Sequence, residues 1–465
     1  MTTSVRLSDI SRCFQGIVPS IIATCDSRGV PNVTYLSQVY LVDDGHVALS
    51  CQFFNKTRRN LDENPAACVE VMDPLTLQAY HLRLKLLRSE KSGPLFERMA
   101  MRIDAIASHT GMSGVFRLLA ADVFAVESVE RVEGFLTEPA HEPEERVSVD
   151  GMRSEVRGLQ FVSERINRAC DLEALLTGVL EALEEYFKFA HTSVLLWDEA
   201  GRRLVTLASN GYGESGIGAE VGLGEGLIGT VARERKLLRL TSLEGDLRYA
   251  RAIRRESVGG HRNLDAEIPL PGLPDAQSTL VLPLTVGSRL IGVFMAEDRD
   301  PMKFGEWHEA YLEIIANQIA LGIDRMLERP DDVPEPAVTP KRATPAPAPA
   351  TFAAAASGAR CRKFIYYKSD DAIFVDDQYL IRNIPARILW KVLGESKRTG
   401  RTDFSNREMR LDSTLGLPPV KDNLESRLIL LRHRLQEKCP DLQIVSTARG
   451  RFALRAEANI ELVER

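Results

Sequence analysis

Residues 328–359, ERPDDVPEPAVTPKRATPAPAPATFAAAASGA, cannot belong to a packed domain, and they cut the chain in two. Proline lacks a backbone N–H and drives the residue before it out of the α region, so alternating Ala and Pro build no helix. The run reads as an extended, semi-rigid spacer, in which about 25 residues at ~3.1 Å each would reach roughly 75 Å. A disordered connector with no signalling role has the same composition. The parts it separates differ in charge. Residues 360–465 carry 21 Lys+Arg against 15 Asp+Glu, net +6, whereas the preceding residues carry 38 against 50, net −12. A basic module trailing an acidic body is a footprint of nucleic-acid binding, although an acidic protein partner would select the same charge.

At roughly 150 residues per domain, 465 residues make about three domains, each large enough for its own core. Hydrophobic content of 44% and charged content of 27% place the chain among ordinary soluble globular proteins. There is no uncharged apolar run of roughly 20 residues, and MTTSVRLSDISRCF has no apolar signal core. A cytoplasmic location without membrane contact is therefore expected. The cysteines at 13, 25, 51, 68, 170, 361 and 439 are odd in number and never spaced CxxC, which argues against a disulfide framework or any metal site.

From Ile17 the chain alternates short strands with tight turns: GIVPSIIATCD, a turn at Gly29, then PNVTYLSQVYLVDDGHVALSCQFF with a hairpin at Asp44-Gly45. A helix is expected at about 57–63, ending near Asn64-Pro65. Strands AACVEVMD and LQAYHLRLKLLRSEK, the amphipathic helix LFERMAMRIDAIA and the strand ADVFAVESVERVEGF follow. This order predicts a small antiparallel barrel over residues 10–136 with a helix across its mouth. Ser50, Gln52, Asn55, Lys56, Thr57, Arg58, Arg59 and Asn60 lie where a strand ends and a helix begins. Orphan N–H groups and full positive charges there suit a phosphate; a solvated, capped helix start uses the same residue types.

The string NKTRRNLDENPAACVEV, with the later ADVFAVESVERV, resembles the flavin-binding split barrels related to pyridoxamine 5′-phosphate oxidase over about 120 residues. The resemblance implies that Ser50, Gln52, Lys56 and Arg59 contact FMN. Relatives bind deazaflavin or haem instead, or nothing. The oxidase's substrate-phosphate residues have no evident counterpart, so oxidation of pyridoxamine phosphate is not expected. His81 and His109 read as structural or surface imidazoles and not as haem ligands.

In residues 152–328, Met152, Val156, Leu159, Ile166 and Cys170 follow steps of four and three, interrupted at Ser163, which suggests a seam between two chains and hence a homodimer. Asp171 is a plausible N-cap for LEALLTGVLEALEEYF. Strands HTSVLLWDE and RRLVTLASN, a polar loop of roughly 35 residues, the hairpin STLVLPLTVGSRLIGVFMAED and the helix WHEAYLEIIANQIALGIDRML complete the segment. The segment resembles the GAF sensor family through GEGLIGTVA, STLVLPLTVGSRLIGVF and the flanking helices. That implies an α/β sandwich that takes a small-molecule ligand or only scaffolds a dimer. Of the cyclic-nucleotide signature only Lys303 and Phe304 have evident counterparts, so a cyclic nucleotide is disfavoured. Arg251, Arg254, Arg255, His261 and Arg262 on the polar loop can meet an anion; a solvated loop is the plainer account.

Residues 360–465 read β-β-β-α-α-α-β-β, with Pro385 in a first helical turn and a cap at Ser405. On the third helix Leu424, Leu428, Leu431 and Leu435 form the buried stripe, leaving Arg427, Arg432, His433 and Arg434 outside. With IVSTARGRFAL as a wing, this resembles the winged-helix effector domain of OmpR-type response regulators. The resemblance implies a third helix in the major groove of duplex DNA and Arg449 and Arg451 at the backbone or minor groove. Ile429 and Leu430 depart from a polar reading face and suit a protein partner equally.

The fold class expected is multidomain α+β: split barrel, GAF α/β sandwich, linker at 329–359, winged helix. The functional expectation is a one-component transcriptional regulator that couples small-molecule or redox sensing to DNA. The alternatives are an FMN-dependent oxidoreductase with regulatory domains and a cofactor-free scaffold; no catalytic residue is assignable.

Overall fold

The computed structural model describes residues 5–36, 38–52, 56–133, 149–199, 201–212, 216–258, 272–328, 361–417, 424–448 and 450–465. The Ala/Pro spacer lies outside them. Among the described residues no helix is long and apolar enough to cross a membrane, and no group of His, Cys, Asp and Glu could hold a metal ion.

A short 3-10 segment, Leu7–Phe14, leads into β1 (Ser20–Cys25), β2 (Pro31–Leu36), β3 (Val39–Asp43), β4 (His46–Cys51), α1 (Lys56–Glu63), β5 (Ala66–Met72), β6 (Ala79–Glu90), α2 (Pro94–His109) and β7 (Ala120–Arg131). Among the described residues these strands form one antiparallel sheet ordered β2-β1-β5-β6-β7-β4-β3. The strand period of two divides its side chains between two cores. Val47, Leu49 and Phe124 point into the barrel's own core with Ile22, Val69 and Leu82. Ala48, Ala121 and Val123 point the other way, under α2.

The second domain runs α3 (Val149–Arg168), α4 (Leu172–Phe187), β8 (His191–Asp198), β9 (Arg203–Asn210), β10 (Glu220–Gly222), α5 (Gly226–Glu234), β11 (Leu238–Thr241), α6 (Leu243–Val258), β12 (Ser278–Val286), β13 (Arg289–Asp298) and α7 (Glu306–Glu328). Its sheet is ordered β10-β9-β8-β13-β12-β11. Asp171 caps α4 by accepting from the Ala174 N–H at 2.8 Å. Gly226 opens α5 at φ +59°, a left-handed value that suits glycine, and a Cβ on Gly229 would lie 2.1 Å from the Gly222 carbonyl oxygen. One face of the sheet, with Val194, Leu282 and Phe294, packs on α3, α4 and α7.

The other face does not close on its own domain. Leu195, Val281, Val293 and Met295 share a single apolar core with Leu227 and Ile228 of α5, Leu247 of α6, and Met99, Ile103 and Ile106 of α2. The barrel helix is therefore a layer of the second domain, where the composition had suggested separate cores. Polar groups lock the seam. Ser108 Oγ donates to the Gly224 carbonyl at 2.6 Å and accepts from the Gly226 N–H at 2.9 Å. Arg102 and Asp246, both nearly buried, pair at 2.6 Å. Helix α6 replaces the first part of the expected polar loop because Leu243, Leu247 and Ala250 form a stripe covered from the barrel side, while residues 259–271, with His261 and Arg262, lie outside the described residues.

The α3 residues that suggested a seam between chains diverge. Ile166 is buried inside this chain beside Val162, while Val156 and Cys170 are exposed. The side chain of Met152 lies outside the described set.

The last domain contains β14 (Cys361–Tyr367), β15 (Ala372–Val375), β16 (Gln378–Arg382), α8 (Asn383–Thr399), β17 (Asp403–Ser405), α9 (Asn406–Leu411), α10 (Leu424–Lys438), β18 (Leu442–Ala448), β19 (Arg451–Ala456) and β20 (Asn459–Glu464). Two small sheets, β16-β15-β14-β20 and β17-β19-β18, enclose the core. The sequence reading lacked β17 and the final β20, which pairs parallel to β14. Leu424, Leu428, Leu431 and Leu435 are buried in this core.

Candidate functional site

A cavity of about 120 Å³ opens in the barrel where β4 ends and α1 begins. Ser50, Gln52, Thr57 and Arg58 line one side, and Asp122 of β7 lies on the floor. Arg58 holds that floor together, donating to Asp122 at 2.8 Å and Ser89 at 3.0 Å and pairing with Asp62 at 2.9 Å. Burial by itself would lower the guanidinium pKa; the neighbouring Asp122 and Asp62 raise it instead. Two carboxylates thus already neutralise this cation. Gln52 donates from Nε2 to Ser50 Oγ at 3.3 Å, while its buried Oε1 has no partner among the described residues. Such an orphan acceptor awaits a donor from a ligand. The Cys51 thiol is pushed up by burial and by Asp122, so it is not a ready thiolate.

The structure brings Ser50 and Gln52 into this cavity and places Lys56 and Arg59 on the exposed face of α1. Lys56 donates to the Pro31 carbonyl at 3.1 Å. Arg58, one of the cations of the expected cluster, lines the cavity, as does Tyr249, which the sequence analysis did not single out. Tyr249 comes from α6 of the second domain and packs edge-on against Phe116, with centroids 6.1 Å apart. No local signal identifies it, because only the shared core carries α6 to the barrel. His81 pairs with Glu70 at 2.9 Å near the surface, and His109 is buried at the end of α2.

The orphan acceptor of Gln52 beside this cavity is compatible with one ring of a planar aromatic ligand such as a flavin. The cavity is partly open to solvent, and its volume near 120 Å³ accepts about one aromatic ring, since a dry cavity of roughly 150 Å³ holds benzene. Lys56 and Arg59 are exposed and do not line the cavity.

Residues 10–127 match the family model described as pyridoxamine 5′-phosphate oxidase, and residues 169–324 match that of the GAF domain. The chain joins a pyridoxamine 5′-phosphate oxidase-like barrel to a GAF domain. Similar solved structures include the GAF domain of an Acinetobacter phosphoenolpyruvate-protein phosphotransferase, at 23% identity and TM-score 0.30 over 37% of this chain and 93% of that one. HupZ of Group A Streptococcus aligns at 20% identity and TM-score 0.23, over 27% and 94%. An FMN-binding protein of Syntrophomonas wolfei aligns at 16% identity and TM-score 0.23, over 27% and 88%. No curated protein matches the chain.

A second cluster lies where the C-terminal domain meets the GAF sheet. Helix α10 lies against α4 and β9, with Ile429 buried in the GAF core and Leu430 packed at its edge. Glu425 accepts the Leu172 N–H at 3.3 Å, Arg427 reaches Asp198 at 3.8 Å, and Arg432 pairs with Glu173. The expectation that Arg427 lies outside is therefore corrected: it is 6% exposed, buried on the GAF side of the helix. Arg432, His433 and Arg434 are half-buried, and burial lowers the His433 pKa. Arg434 pairs with Glu437 at 3.0 Å. Arg451 is exposed; Arg449 lies outside the described residues.

Proposed function

We propose that the chain is a regulator in which the barrel and the GAF domain sense a small molecule or redox state, and a winged-helix-type C-terminal domain binds duplex DNA. The supporting observation is the docking of α10 on the GAF domain, which ties the availability of Arg427 and Arg432 to the state of the sensor. Signalling is then a population shift between docked and released arrangements that differ by a few kcal/mol.

FMN is the proposed cofactor, with Gln52 Oε1 accepting from its ring, Tyr249 at the mouth, and Lys56 and Arg59 meeting its phosphate. A bound flavin supplies reversible electron uptake. Deazaflavin and haem are the alternatives that an absorbance spectrum separates. A homodimer is also proposed: Trp307, Ile314 and Leu321 recur every seven residues on the outer face of α7 at 45%, 49% and 59% exposure, a pattern that suits helix pairing.

A second reading, a C-terminal domain devoted to protein contact, is favoured by the burial of Ile429 and Leu430 against the GAF domain. The test compares the whole chain with Glu173→Arg/Asp198→Lys on immobilised duplex DNA across a salt series. The proposal expects stronger, salt-sensitive retention of the variant. Equal absence of retention in both would favour the protein-contact reading.

A further inference from the structure

A cavity of about 150 Å³, partly open to solvent, lies between the GAF sheet and the C-terminal domain. Trp197 and Val205 form one wall, Tyr379, Ile384 and Leu430 the other. The charged side chains that border it are already matched: Arg427 pairs with Asp198 at 3.8 Å, Arg382 with Glu220 at 3.9 Å, and Arg434 with Glu437 at 3.0 Å. A ligand here needs no charge, and an ion buried without a counter-charge would be costly. One polar group of the wall is unmatched. Ser426 is 7% exposed, and its buried Oγ has no hydrogen-bond partner among the described residues. A buried hydroxyl is ordinarily paired, so this one is open to a group that a ligand brings. An apolar hollow of benzene size, walled in part by aromatic rings and carrying one orphan hydroxyl, suits a single ring with one uncharged hydrogen-bonding group.

We propose that this cavity binds a small uncharged phenol, its ring between Trp197 and Leu430 and its hydroxyl bonded to Ser426 Oγ. The ligand holds the C-terminal domain docked. Both walls exist together only when the domains are docked, so the ligand binds that arrangement alone. At a concentration of 100 Kd it would raise the docked-to-released ratio about 100-fold. The inference does not need the C-terminal domain to bind DNA.

Phenol is the probe, benzene and benzoate are its controls, and the full-length chain is the sample, with binding read by calorimetric titration. Phenol should bind saturably. Benzene, which lacks the hydroxyl, should bind about 10-fold more weakly, and benzoate at least about 10-fold more weakly because the bordering cations are already paired. Ser426→Ala should bring phenol down to the affinity of benzene and leave benzene unchanged, which also shows that the hollow is intact. Val205→Phe and Leu430→Phe fill the hollow from opposite walls, and each should weaken both ligands at least about 10-fold. Amide exchange in α10 should slow with phenol. The proposal is overturned if phenol shows no saturable binding, if benzene or benzoate matches it, or if Ser426→Ala leaves it unchanged. Binding that persists in both filled variants, or α10 exchange unchanged at saturation, also overturns it. Failure of duplex retention, measured separately, would leave these outcomes intact.

Discussion

The Arg432 guanidinium on α10 pairs with the Glu173 carboxylate at the start of α4, 259 residues earlier in the chain. The two side chains keep 19% and 46% of their exposure, so solvent limits the pair to about 1 kcal/mol or less. Ile429, 6% exposed beside them, contributes more: truncating a buried Ile to Ala costs roughly 2–5 kcal/mol. Docking should therefore respond weakly to Glu173→Ala and strongly to Ile429→Ala. Amide exchange along α10 checks the order, and comparable acceleration by both changes would contradict it.

Glu297 is a pH-sensitive element of the GAF core. Burial raises its carboxyl to about 7 from an ordinary 4.5, while the Leu273 N–H at 2.9 Å and the Tyr212 hydroxyl at 2.8 Å favour the anion less strongly. The native state holds this proton more tightly than the unfolded chain. Its stability contribution is complete below about pH 4.5 and is lost as the pH rises to about 7. Glu297→Gln keeps the acceptor and removes the charge. It should exceed the parent's stability by up to about 3 kcal/mol at pH 8 and by little at pH 4.5. Denaturant unfolding at both values measures this, and an equal gap would show that ionisation is not the cause.

Arg102 and Asp246 join the barrel to the GAF domain with side chains 10% and 11% exposed. Removing one partner strands a buried charge at a cost of about 3–5 kcal/mol, whereas replacing both with apolar groups can be neutral. Arg102→Met alone should depress the melting temperature, and Arg102→Met/Asp246→Leu should restore most of it. Calorimetry should also show the barrel and GAF domain melting together, since one core serves both.

In the barrel cavity the proposed division of labour is testable by comparing FMN with riboflavin, which lacks the phosphate. Gln52→Leu should weaken both by about 10-fold or more, as expected for loss of one buried hydrogen bond. Lys56→Ala/Arg59→Ala should weaken FMN and leave riboflavin unchanged. Quenching of flavin fluorescence provides the dissociation constants; equal losses for both ligands would remove the phosphate assignment.

The barrel strands were legible from their period of two, and the central GAF strands, buried on both faces, from continuous apolar runs bounded by Gly turns. Helix α6 was hidden. Its arginines suggest a solvated loop, and the Leu243–Leu247–Ala250 stripe acquires meaning only when α2 supplies the opposite surface. Arg427 was misplaced for a related reason: the leucine stripe of α10 satisfies its own domain, while the adjacent face is claimed by Asp198 and Glu173 from far upstream. Cavity residues near Ser50 were readable from the strand-to-helix junction. Neutralisation of Arg58 by Asp122 was not, because β7 enters the site 64 residues later.

Because α2 is a structural layer of its neighbour, neither of the first two modules is a free-standing cassette. Excising the GAF segment at its apparent boundary would leave Leu227, Ile228, Leu247 and Met295 uncovered, a recipe for precipitation. Any recombination that transplanted this sensor into another protein would have to carry the preceding helix with it, so the unit of inheritance here is the fused pair.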